Sequence, residues 1–468
     1  MNYKFPLVLL LITLPILSNA QNTEISGRIE LGGYASVRDS LPFWMVSNTY
    51  GRMEPDTRAI GLAEARVQHR LGEQSFLEAG GGLLFNDAVA PVLRGDSWYA
   101  QYQNKWIGVI GGKKQRPMTY GGLSTSGESI LWSDNARPLP GIYLYTTEPI
   151  SLVRSRKFLF DGYWGEYLMD DERYVDNTRV HSKGLTFVYR FNPSTEILVG
   201  LEHVVQWAGT HPRQGKQPSG FKDYLRVVTG ASGGDGATAG DQINALGNSL
   251  GSYRIRYRKK NDGYNMELFW NSVFDDRSGR ELSNLPDGRY GVFFEKKQSK
   301  GVFQNFLYEF YYMKNQSDTS PPLSQNDNYF NNGFYKSGWT YHMNTVGSPL
   351  FIENSLRFDE GSPYNEYYSI INTRFTAHHL GIGGVIKDFR YRLLLTYTRN
   401  YGMKYNSFQG GIHQELEYFK PRGYNVFSTR FDLNIPISFA ELKFIMASDF
   451  SEVSKPKFAL GLHMVKRF

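Results

Sequence analysis

The chain has 468 residues, 15% of them aromatic, no cysteine, and a formal net charge of +7. The lack of cysteine excludes a disulfide-framed secreted fold and a lipoprotein anchor, leaving backbone pairing and burial to provide stability. Mean hydropathy is negative and no stretch after residue 20 could form a transmembrane helix, yet there are 32 Tyr, 31 Phe and 48 Gly. Strands that show only every second residue to lipid reconcile these features, with aromatics gathered at the two interfaces. A soluble chain of this length would normally divide into two or three domains, but no Pro- and Ser-rich linker or shift in composition marks a boundary.

In chain order, Met1 to Lys4 is a short positive segment, Phe5 to Leu17 is almost wholly apolar, and Ser18-Asn19-Ala20 provides small residues before Gln21. This predicts a secretory signal peptide over 1–20 and a single barrel over 21–468. Strand patterns follow near 25–37, 59–71, 75–86 and 97–112, some long enough for two strands. A long loop is expected over 113–147. Further strands are expected near 150–160, 179–191 and 194–207, then a second long loop over 209–251, rich in Gly, Ser and Asp. Within it, Asp223–Val228 and Gln242–Leu246 could each form a short helix.

Beyond this loop, Tyr253, Ile255 and Tyr257 alternate with Arg254, Arg256 and Arg258. Patterns near 263–274, 289–297, 301–314, 349–358 and 369–387 come next. Tyr391, Leu393, Leu395 and Tyr397 then share a face opposite Arg390 and Arg392. Phe427, Phe431, Leu433 and Ile435 likewise oppose Ser428, Arg430, Asp432 and Asn434, and Leu442, Phe444 and Met446 oppose Glu441 and Lys443. The clearest strand is the last, 458–468, where Phe458, Leu460, Leu462 and Met464 alternate with small or polar residues and the sequence closes on Phe468. The expected fold is therefore all-β, a transmembrane antiparallel barrel of about 16 to 18 strands. Crossings of roughly 9 to 11 residues leave more than half of the chain for turns and loops, enough to fill or cover the lumen.

Catalytic signals are scarce. Gly230-Ala231-Ser232-Gly233-Gly234 matches a nucleophile-elbow string but sits in a glycine-rich loop rather than between a strand and a helix. His378 and His379 would point to opposite faces of a strand, and Asp170-Asp171-Glu172 reads as a solvated acidic turn rather than a calcium loop. No zinc, phosphate-loop or dinucleotide pattern is present. The expectation is a non-enzyme with no catalytic residue, metal or cofactor and no nucleic-acid partner. Candidate ligand contacts are Arg254, Arg256 and Arg258 on a lumen face, able to fork onto carboxylate or phosphate unless they instead pair with loop acids. Arg116, Tyr120, Trp132, Asn135 and Arg137 in the 113–147 loop add rings that stack on sugar faces and groups that bond hydroxyls.

The segment Gly121-Gly122-Leu123-Ser124-Thr125-Ser126-Gly127, followed by Ser133-Asp134-Asn135-Ala136-Arg137-Pro138-Leu139-Pro140, resembles the capsule assembly Wzi family, as do Pro42-Phe43-Trp44 and Ser47-Asn48-Thr49-Tyr50-Gly51. The richness in Gly and Tyr is similar to its Bacteroides-type branch. The resemblance implies an 18-stranded outer-membrane barrel with lumen-occluding loops. It implies a lectin-like protein that binds capsular or extracellular polysaccharide and helps attach and assemble the capsule at the cell surface, beside outer-membrane lipid and polysaccharide export machinery. The alternatives are a porin for anionic solutes and an outer-membrane hydrolase acting through Ser232.

Overall fold

The computed structural model describes residues 22–238, 241–242, 245–275, 277–297, 301–317, 327–353, 369–403 and 423–468. The expected signal peptide and part of the expected Gln242–Leu246 helix lie outside the described residues.

The alternating segments pair into one ring. Its strands are β1 (Thr23–Ser36), β2 (Ala59–Gly72), β3 (Ser75–Asn86), β4 (Leu93–Gln103), β5 (Ile107–Lys113), β6 (Gly141–Thr146), β7 (Phe158–Leu168), β8 (Arg179–Asn192) and β9 (Thr195–Trp207). They continue as β10 (Asn248–Lys260), β11 (Tyr264–Asn271), β12 (Gly288–Lys296), β13 (Asn305–Met313), β14 (Arg374–Ile386), β15 (Phe389–Gly402), β16 (Tyr424–Pro436), β17 (Glu441–Ser451) and β18 (Lys457–Arg467). Each pairs antiparallel with its sequence neighbours, and β18 closes on β1 in the register Arg28↔Arg467 to Ser36↔Ala459. A two-residue piece, Ile150–Ser151, extends the wall beside β7. Closure leaves no edge, the condition for a sheet to cross hydrocarbon.

Alternation sets the two faces. On β18, Phe458, Leu460, Leu462 and Met464 are exposed, while Ala459, His463 and Val465 are buried. Leu31, Leu83, Ile142, Phe187 and Val199 are likewise exposed on neighbouring parts of the outer wall, at 50% or more. Exposed large apolar residues in such number form the lipid band of a membrane barrel.

The two ends differ. At one, connections are tight and several are fixed by asparagine. Asn104 Oδ1 accepts from the Trp106 and Ile107 amides at 2.8 and 3.0 Å, and Asn261 Oδ1 from those of Gly263 and Tyr264 at 2.9 and 2.8 Å. A side-chain oxygen that mimics a backbone acceptor is why Asn starts such turns. Strands at the other end are joined by 37–58, 114–140, 208–247, 272–287 and 314–373, so this is the extracellular end by the usual asymmetry of outer-membrane barrels.

Several expectations need correction. Gly141–Thr146, placed in a 113–147 loop, is strand β6; only 114–140 is loop. The 150–160 strand is displaced, since the wall strand is Phe158–Leu168. Of 349–358, Ile352–Glu353 is strand and pairs with Ile370–Asn372; 349–351 are turn and bend, and 354–358 lie outside the described residues. The helix expected within 223–228 forms as Phe221–Thr229, but it lies against the outer wall instead of occluding the lumen. Its Val227 and Tyr224 pack on Val205 and Trp207, which share the outward parity of exposed Val199 and Leu201. The Asp170–Glu172 turn is not simply solvated either, because the Asp171 side chain is buried and bound to Arg173 at 3.0 Å.

Candidate functional site

The segments carrying the family-like motifs meet inside the barrel. The Asn48 amide donates to Asn135 Oδ1 at 3.1 Å, the Tyr50 amide to Asp134 O at 2.7 Å, and Asn48 Nδ2 to Thr125 O at 2.8 Å. The Gly121–Gly127 stretch is fastened to the wall by a buried ion pair, Arg289–Glu309 at 3.3 Å. Glu309 accepts from Ser124 Oγ and Thr125 Oγ1, both at 2.6 Å, while Arg289 donates to Ser126 Oγ at 2.6 Å and Gly127 O at 2.7 Å. His379 Nε2 lies 2.6 Å from Leu123 O and Arg392 donates to Gly122 O at 2.9 Å. The Ser and Thr hydroxyls of the motif are therefore anchors. Every charge in this low-dielectric contact has partners, as burial requires.

Above the anchor, loop 114–140 and segment 327–353 pack together. Trp339 Nε1 donates to Leu131 O at 2.6 Å, Ser133 Oγ to Gly347 O at 2.5 Å, and Asn135 Nδ2 to Thr345 O at 3.0 Å. Ile130, Leu131, Phe330, Trp339, Phe351 and Phe375 form part of one fully buried apolar cluster. Among the described residues, these two segments form one packed plug at the end that carries the long loops.

Beneath part of loop 114–140, next to β4–β7 and β9–β10, is a cavity of about 740 Å³. Its size falls within the roughly 300–1,000 Å³ range of ligand sites. One wall is aromatic: Trp132, Tyr143, Tyr145, Tyr163 and Tyr167. Gln101, Gln103 and Gln115 supply amides. The Arg116 guanidinium sits 3.9 Å over the Trp132 ring and 5.4 Å from that of Tyr143, Tyr143 stacks on Tyr145 at 5.3 Å, and Trp132 meets Tyr167 at 5.1 Å. Such cation–π stacking holds the ring planes in place without consuming their hydrogen-bonding edges. Two glycines make room for these rings. A Cβ on Gly184 would fall 2.3 Å from Tyr163, and one on Gly108 would fall 2.2 Å from Tyr145.

Of the residues singled out in the sequence, Arg116, Trp132, Arg137, Arg254 and Arg256 line this cavity. Most are tied. Arg254 pairs with Glu202 at 3.1 Å, Arg256 with Glu128 at 2.7 Å, and Arg137 donates to Gly95 O at 2.8 Å. The reading in which lumen arginines pair with loop acids thus describes Arg256 and Arg258, since both face Glu128 of the loop. Tyr120, Asn135 and Arg258 are not brought to the cavity. Tyr120 bonds Glu267 at 2.5 Å and stacks on Phe269, Asn135 is the buried clamp between loops, and Arg258 pairs with Glu267. The residues missed are the tyrosines of β6 and β7. Their signal was the alternation in Ile142-Tyr143-Leu144-Tyr145, hidden by its assignment to a loop.

Asp134 adds a titratable group: burial pushes its carboxyl up to about 7, against the opposing pull of the Arg116 guanidinium. Among the described residues, no group of three or more His, Asp and Glu is placed to hold a metal ion, and no helix is long and apolar enough to cross a membrane. His379 is buried and bonded to Leu123 O, whereas His378 faces outward beside Tyr308, the opposed orientation expected on a strand. Ser232 makes an isolated bridge to Ala245 in the outer-wall segment, not a strand-to-helix elbow.

Comparison with known proteins agrees with this architecture. A family model described as capsule assembly protein Wzi matches residues 97–355, more than half of the chain. Among solved structures, the fold is similar to one titled as Wzi, an outer-membrane protein involved in group 1 capsule assembly in Escherichia coli and a carbohydrate-binding β-barrel. That match has a TM-score of 0.56 and 12% identity, covering 97% of this chain and 87% of that one. Weaker likenesses include OccAB2 of Acinetobacter baumannii, with a TM-score of 0.49, 11% identity and coverage of 96% and 98%. Another is OpdO of Pseudomonas aeruginosa, with 0.48, 10%, and coverage of 96% and 97%. No curated relative matches the chain in sequence. A closed eighteen-strand outer-membrane barrel with the Wzi motifs joined in its lumen, this chain belongs to the capsule assembly protein Wzi family.

Proposed function

We propose that the barrel is a non-enzymatic lectin that binds a short stretch of capsular or extracellular polysaccharide and so helps attach and assemble the capsule at the cell surface, alongside the export machinery. The observation that carries this reading is the cavity of about 740 Å³ walled by Trp132 and the tyrosines of β6 and β7 and edged by glutamine amides. Flat rings match the apolar faces of sugars, and amides and phenols match their hydroxyls. The relative in Escherichia coli, titled as carbohydrate-binding, supports it. The packed plug weighs against a porin, which needs an aqueous path through the lumen. The test is deletion of the gene, followed by measurement of cell-attached against released polysaccharide. The proposal expects more released material, restored by the wild-type gene but not by a Trp132→Ala, Tyr143→Ala form. Unchanged attachment would sink it.

A further inference from the structure

The outer wall carries a second cavity, a groove of about 680 Å³ between β6–β7 and the first turn of the Phe221–Thr229 helix. Ile142, Leu168, Trp207, Phe221 and Tyr224 give it apolar sides, and Glu166 and Arg179 are its charged residues. Strand register fixes its height. Ile142 pairs with Glu166, Glu166 with His181 and His181 with Val205, all on the outward face. Two residues toward the tight-turn end, the matching row is Leu144, Trp164, Lys183 and His203. The next outward row contains Leu185 and Leu201, exposed to lipid at 44% and 43%. The groove is therefore continuous with the lipid band and opens at its extracellular edge.

Its charges are unequally engaged. Glu166 accepts from Tyr224 Oη at 2.7 Å and Trp164 Nε1 at 2.9 Å, and lies 2.6 Å from His181 Nδ1. Arg179 is exposed: its guanidinium lies 5.4 Å over the Trp207 ring and, among the described residues, spends one donor, on Ser219 O at 3.4 Å. A guanidinium carries five N–H donors in a fork suited to phosphate. Beside it, Phe221 is 74% exposed and Leu225, one turn on, 46% exposed. An amphipathic helix with apolar residues turned away from its own protein lies in the interfacial plane of a bilayer.

We infer that this groove holds an acyl chain of an outer-leaflet membrane lipid, with the lipid's phosphate on Arg179 and the Phe221–Thr229 helix seated among the headgroups. The acyl chain lies along Ile142 and Leu168, and the Phe221–Thr229 helix covers the outward Lys183, which donates to Val228 O.

The test is native mass spectrometry of the whole protein released from detergent micelles, with phosphatidylglycerol or phosphatidylcholine of identical chains added. The wild type should retain one lipid and prefer phosphatidylglycerol. Arg179→Gln should lower that preference about tenfold, the scale of one charge-assisted bond. Ile142→Trp, which fills the groove from an outward position, should abolish retention of both lipids. Circular dichroism checks that each variant keeps the barrel. A wild type that retains neither lipid, an unchanged preference in Arg179→Gln, or unchanged retention in Ile142→Trp overturns the inference without bearing on glycan binding in the lumen.

Discussion

Replacing Arg289 with alanine should release the loop that roofs the cavity while sparing the barrel. Arg289 and Glu309 are 1% and 0% exposed in their side chains, and together they hold Ser124, Thr125, Ser126 and Gly127. Removing one member of a buried ion pair leaves the other uncompensated and costs about 3–5 kcal/mol. The wall is held by eighteen backbone ladders, to which this side chain adds only its bonds to Asn271 of β11, so most of the cost falls on the docking of loop 114–140. Its opened population should then rise by a factor on the order of a hundred to several thousand. Chymotrypsin reads this directly, because the loop carries Tyr120, Leu123, Leu131 and Trp132, whereas Arg116 and Arg137 each precede a proline and resist trypsin. Cleavage there should accelerate at least a hundredfold with the barrel core still intact. Arg289→Met combined with Glu309→Leu should recover much of the protection, since apolar side chains of similar volume carry no stranded charge. If Arg289→Ala leaves the cleavage rate unchanged, the anchor has been misread.

Further outcomes follow from the same geometry. Trp132→Ala removes both a stacking face and the ring under Arg116, so polysaccharide binding should weaken about tenfold, measured by retention on immobilised glycan. Gly184→Val places a Cβ against Tyr163 and should weaken the same binding without changing strand content by circular dichroism. Asn135→Ala cuts the bonds from Asn48 and to Thr345 and should loosen both loops by about 1–3 kcal/mol, read as faster hydrogen exchange at 130–136. The Asp134 carboxyl is raised to about 7 in the folded loop, so folding takes up a proton between the ordinary carboxylate range and pH 7. Loop stability is greatest at low pH and falls as pH rises toward 7. Hydrogen exchange at 130–136, scaled to the intrinsic rate at each pH, should show greater protection at pH 5 than at pH 8, and Asp134→Asn should flatten the difference.

How much of this was legible in the sequence depends on what each residue faces. β18 and β10 were plain, because every outward residue met one solvent and every inward residue another, and the alternation in Phe458–Met464 and Tyr253–Tyr257 survived intact. β6 was not, since its six residues follow Pro138 and Pro140 and give too short a run to separate from the loop. The helix at Phe221–Thr229 was legible in type but not in place. Its position is set by the outward His181, Lys183 and His203, polar residues on a face that otherwise meets lipid, and recognising them as covered required the register of three strands. Of the eight candidate contacts, the five that reach the cavity are on loop 114–140 or β10, while Asn135 and Tyr120 carry sugar-binding chemistry turned to internal use. Residue type records what a side chain can bond, and only the fold decides with what.

The most direct measurement is equilibrium binding of purified wild-type protein to polysaccharide from its own strain, set beside the Trp132→Ala, Tyr143→Ala double variant. Saturable binding that falls at least tenfold in the variant, with the barrel unchanged by circular dichroism, is the expected result. Equal binding by both proteins, or none by the wild type, would contradict the luminal glycan site.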